Sequence, residues 1–157
     1  MVLPLQISSF AYAVPACACM RRCDYALGAL LAVLVVTSVG NHAQPYDLHT
    51  AEPRTALQAL DVALAHLTVA AFALRFWKRP ALWWALLYVA ATYWIAIPEA
   101  RRRFHRLHSP TADDARHARR ELVAWHCSLH VVSAVAMAYL VGTARAAFKQ
   151  PPRVWGK

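Results

Sequence analysis

His126 and His130 stand four residues apart in the apolar run Leu122 to Thr143. On a helix that spacing stacks both imidazoles on one face, one turn apart. Two imidazoles so placed can ligate one metal ion. The plainer reading is a pair of histidines hydrogen-bonded to neighbouring helices. Ser133 continues the same stripe. Ser38 and His42 repeat the four-residue spacing at the end of another apolar run, where His42 offers a third nitrogen or caps a helix among headgroups. Asp61 falls roughly one and a half turns into a further run. It is either a carboxylate of a site or a helix-start charge paired with a loop arginine such as Arg54. Three neutral imidazoles on zinc leave a fourth position for water, and such a site lowers the pKa of that water to about 7. The hydroxide so formed attacks carbonyl carbons. Asp61 would orient or deprotonate the water, or hold a ligand imidazole, and Ser38 would donate to the developing oxyanion. In a membrane the matching bond is an amide or ester of a lipid.

The elements that must carry these residues follow from composition. Of 157 residues, 59% are apolar and 16% charged, against about 45–50% and about 25% in soluble domains. That balance points to a membrane protein and excludes intrinsic disorder, a coiled coil and a secreted disulfide scaffold. The net charge of +9 comes from 17 Lys and Arg set between apolar runs, which suits lipid headgroups better than nucleic acid. A spanning helix takes about 20 mostly apolar residues. Residues 25–42, 56–77, 81–98 and 122–143 qualify. Residues 2–20 contain Pro4 and Pro15 and read as a first span or as a signal peptide cut near Ala16-Cys17-Ala18. No basic residue precedes them, which favours the span. The expectation is an all-α integral membrane bundle of four to five transmembrane helices over residues 1–144, with a basic tail over 145–157. Residues 43–55 and the Arg- and His-rich stretch 99–121 are expected as loops, and Trp77-Lys78-Arg79-Pro80 as a tight turn with proline at a helix start.

Helix parity joins the separate signals. With five spans, the end of the second, the start of the third and the start of the fifth share one side. Ser38, His42, Asp61, His126 and His130 therefore share one leaflet depth, where chance would scatter them. Ionisable groups at that depth are costly and mark function by default. Orientation rests on a count of Lys and Arg. One side holds nine: Arg21, Arg22, Arg75, Lys78, Arg79, Arg145, Lys149, Arg153 and Lys157. The other holds eight, most of them within 101–120, so the positive-inside rule leans to a cytosolic C-terminus. The run Cys17, Cys19, Cys23 sits at a membrane boundary and suits either palmitoylation or plain small apolar positions. Cys127 lies inside an apolar run.

The set Ser38-x3-His42, then Asp61, then Trp125-His126-x3-His130 resembles the alkaline ceramidase and progestin/adipoQ receptor superfamily, which also holds GPI-anchor remodelling and myomaker-like proteins. The run Trp-His-Cys-Ser-Leu-His-Val-Val is similar to its last-helix motif, Thr37 to Ala43 to its early one, and Leu57 to Ala65 to its middle one. The resemblance covers roughly residues 25–145. It implies zinc held by His42, His126 and His130, with Ser38 and Asp61 in the site. Those proteins usually have seven helices. Here one helix stands where three would link the aspartate helix to the last, which keeps parity but thins the wall of any lipid pocket. Asn41 precedes the early histidine where an aromatic is common.

Two other functions fit the same residues. A structural zinc site would close its fourth position, with His49 or Asp61 as ligand. A haem b cytochrome would use His66 opposite a histidine of the last helix. His66 lies roughly 7–8 Å of rise deeper than Asp61 and is rotated about 140° from it, so it is not expected in the zinc site. The expected partner is membrane lipid rather than nucleic acid. A second copy of the chain or another membrane protein is the candidate to supply missing wall.

Overall fold

A computed structural model describes residues 3–43, 55–106 and 111–144. Those residues are all-α, with no strand among them. Five helices are long and apolar enough to cross a membrane: Leu3–Met20, Tyr25–His42, Ala56–Phe76, Pro80–Arg103 and Ala112–Thr143. They are called the first to fifth helices below. A multi-pass membrane bundle is thus the architecture, as composition requires. Helices are what apolar runs without alternation form where no water can satisfy the backbone.

Local sequence explains the details. The first helix passes through a 3₁₀ turn at Phe10–Tyr12. Pro15 follows, and its ring lacks the N–H that the carbonyl of Ala11 would accept. The fourth helix runs as Pro80–Ala91, widens to a π turn at Thr92–Ala96 and continues as Ile97–His105. Pro98 sits just beyond that turn and would clash with the Trp94 carbonyl in a regular helix, so the widened turn lets the chain continue through it. Pro80 occupies the first turn, as expected, and Thr55 caps the third helix by accepting from the Gln58 backbone N–H.

One expectation is corrected here. Residues 99–121 are not one long loop. The fourth helix extends to His105 and the fifth begins at Ala112, ten residues before the apolar run starts. Short-range polar pairing stabilises both extensions. Thr111 and Asp114 form a capping box, Glu99 faces Arg102 and Arg103, and Arg103 reaches Glu121 at 3.5 Å. The remaining break is short. The tail 145–157 lies outside the described residues, as do His49 and Arg54.

A smaller apolar core of Ile97, Ala100, Ala118 and Leu122 packs the end of the fourth helix on the start of the fifth. The larger one lies towards the far end of the bundle, away from His42. Leu31, Leu34, Phe72, Met137 and Leu140 meet there with Tyr12, Ala16 and Cys19 of the first helix. At that end the Arg22 guanidinium donates to the carbonyls of Val141 and Gly142, at the C-terminus of the fifth helix. Asp24 pairs with Arg75 at 3.2 Å. These contacts tie the first, second, third and fifth helices together and fix their relative depth.

Candidate metal centre

Tyr25–His42 ends on His42, which is 4% exposed, with Ser38 one turn deeper at 2%. The fifth helix brings His126, half-buried, and His130, 5% exposed, to the same level. The three rings close into a triangle. Centroids lie 4.8 Å apart for His42–His126, 5.1 Å for His42–His130 and 4.8 Å for His126–His130. One nitrogen from each lies within 4.8 Å of the other two. Among the described residues no other group of three such side chains forms, and no fourth ligand joins this one.

The donor set fits zinc. Buried His42 Nε2 makes no hydrogen bond with the described residues; a buried nitrogen calls for a hydrogen-bond partner, and one with a free lone pair can take a cation instead. Tetrahedral zinc with bonds of 2.0–2.1 Å needs ligand nitrogens about 3.3 Å apart. The rings would close by up to about 1.5 Å, which rotation about their side-chain torsions can supply. His42, His126 and His130 would hold the ion.

Asp61 is 8% exposed and belongs to this cluster's surroundings. Its Oδ2 accepts from Asn41 Nδ2 at 2.8 Å, and Ser38 also hydrogen-bonds to it. Asn41 Oδ1 is buried with no partner among the described residues. Ser38 lies 3.0 Å from Ser9 as well, so its one hydrogen has two acceptors at hand. All five residues singled out from the sequence thus meet at one depth.

The first helix supplies residues that sequence reasoning missed. Ser8 Oγ lies 3.0 Å and Ser9 Oγ 3.3 Å from His130 Nδ1. Tyr12 Oη lies 2.7 Å from Ser133 Oγ, which itself donates to the Leu129 carbonyl at 2.5 Å. Tyr12 therefore donates to Ser133. The signal was present as Ser8-Ser9-x2-Tyr12, polar groups one helical turn apart inside an apolar run. It becomes legible only once residues 2–20 count as a span, because parity then puts their start beside His42 and His126.

An apolar cavity of about 390 Å³ opens from this cluster between the third, fourth and fifth helices. Ser38, Asn41, Asp61, His126 and His130 form its polar end; Leu86, Val89, Trp94 and Met137 are among its apolar walls. The π turn presents the consecutive residues Tyr93 and Trp94 to it. His66 also lines the cavity but lies outside the triangle of imidazoles. Its Nδ1 is bonded to the Val62 carbonyl at 2.7 Å and its ring packs on Tyr93. Elsewhere, Tyr88 Oη donates to Ser128 Oγ at 2.9 Å.

Comparison of the chain with family models, with curated proteins and with solved structures returns no match in any of the three.

Proposed function

We propose that the protein is an intramembrane zinc-dependent hydrolase acting on an amide or ester bond of a lipid. The observation that carries this reading is the meeting of His42, His126 and His130, two of which, His126 and His130, line the polar end of an apolar cavity together with Asp61. The likeness of these motifs to the alkaline ceramidase and progestin/adipoQ receptor superfamily supports it independently. A zinc ion supplies Lewis acidity that makes water nucleophilic near neutral pH.

The chain's own residues would do the rest. The apolar walls take the lipid's hydrocarbon and exclude bulk water, and the polar end receives the scissile carbonyl. Asn41 holds one Asp61 oxygen, leaving the other to take a proton from the attacking water and return it to the leaving amine or alkoxide. Ser38 sits between Ser9 and Asp61 and can turn its hydrogen to a developing oxyanion only by giving one of them up. A structural zinc site would close its fourth position; Asp61 does not join the triangle, and His49, the other candidate for that role, lies outside the described residues. By the count of basic residues the C-terminus faces the cytosol.

The test is zinc content together with turnover of amide- and ester-linked lipids on one purified preparation. The reading expects about one zinc per chain and metal-dependent release of fatty acid. Zinc-free protein, or zinc-loaded protein inert on every amide and ester lipid class, overturns it.

A further inference from the structure

The hydroxyls of the first helix bear on which nitrogen of His130 is free. Ser8 Oγ and Ser9 Oγ each lie 2.9 Å from the Leu5 carbonyl oxygen, an atom that can only accept. Each serine has one hydrogen, and that carbonyl is an acceptor within reach of both. When each hydrogen goes there, what remains on each oxygen is lone pairs. With the serine hydrogens on that carbonyl, the group facing them, His130 Nδ1 at 3.0 and 3.3 Å, is the donor. An imidazole carrying its proton on Nδ1 has its lone pair on Nε2, and that is the nitrogen a metal can take. Without the serines, either nitrogen could hold the proton, and the Nε2–H form cannot ligate through Nε2.

We propose that Ser8 and Ser9 are positioning residues that hold His130 as its Nδ1–H tautomer and aim Nε2 into the triangle with His42 and His126. Ser8 is 7% and Ser9 0% exposed, so no water competes for the bond. Tyr12 packs edge-on against the same ring, with centroids 5.7 Å apart, and limits its rotation. His130 is thus set by a helix that contributes no metal ligand. The metal-binding part of this inference rests on the zinc reading above; the tautomer does not.

The experiment uses full-length protein with ¹⁵N-labelled histidine in lipid nanodiscs, stripped of metal. Long-range ¹H–¹⁵N spectra show which ring nitrogen carries the proton, and the His130 signals are those lost in His130→Ala. Zinc affinity is then measured by competition with a chelator. Wild type should show His130 protonated on Nδ1. The double variant Ser8→Ala with Ser9→Ala should lose that preference and bind zinc about 10–100-fold more weakly. Ser8→Thr with Ser9→Ala keeps one hydroxyl and should recover most of both. An Nε2–H His130 in wild type overturns the proposal, whether or not the double variant folds. So does a double variant whose affinity falls with the tautomer unchanged, or whose tautomer changes with affinity intact. Wild type that binds no zinc sinks the hydrolase reading, and the spectrum alone then decides the tautomer.

Discussion

The two ends of this bundle carry polar groups of the same kinds and treat them differently. At the far end Arg22 meets the last carbonyls of the fifth helix, and Asp24 meets Arg75. Each charge named there has a partner, and each contact joins two helices. At the near end Asn41 Oδ1, His42 Nε2 and Arg101 Nε are buried with no hydrogen bond among the described residues. Three imidazoles face one another there, a poor way to hold helices together, since neutral rings at that spacing offer each other little. Satisfied polar groups at a helix end are architecture. Buried unsatisfied ones, with Asn41 itself lining an apolar cavity, mark a place for a ligand.

Substitutions at the two ends should therefore separate metal binding from stability. The largest effect belongs to His126→Ala. It removes one of the three proposed ligands and should abolish stoichiometric zinc, while His117→Ala, on the exposed start of the fifth helix, should leave zinc content unchanged by elemental analysis. Asp61→Asn comes next. It should keep most zinc and lower lipid turnover on the order of 10²–10⁴; a parallel fall in zinc and melting temperature would instead make Asp61 a ligand.

Asn41→Ala should act more weakly, through Asp61. Loss of a hydrogen bond to a charged group costs about 1.5–3 kcal/mol, so turnover should fall by roughly tenfold or more with zinc retained. Arg22→Gln is the smallest and the control. Removing a cation from a helix C-terminus costs about 0.3–1 kcal/mol, visible in thermal melting, and zinc content should not move. If Arg22→Gln displaced zinc as His126→Ala does, the division between the two ends would fail.

Much of this was legible in the residues. The apolar runs and their parity alone bring Ser38, His42, Asp61, His126 and His130 to one depth. Short runs of side-chain chemistry were harder to read. The stretch 99–121 looks like a loop because its arginines and histidines mask helical pairing by Glu99, Glu121 and the Thr111–Asp114 capping box. Asn41 reads as a departure from a pattern, whereas its amide holds Asp61. Ser8, Ser9 and Tyr12 were hidden because two prolines made their helix uncertain, and because contacts across more than 120 residues leave no local trace.

The central claim is that His42, His126 and His130 together hold one zinc ion, and X-ray absorption at the zinc edge of the purified protein tests it most directly. Three histidine nitrogens and one light atom at about 2.0–2.1 Å are predicted, with the imidazole signal reduced in His42→Ala. Absence of zinc, or a sulfur shell at about 2.3 Å from the cysteines, would contradict it.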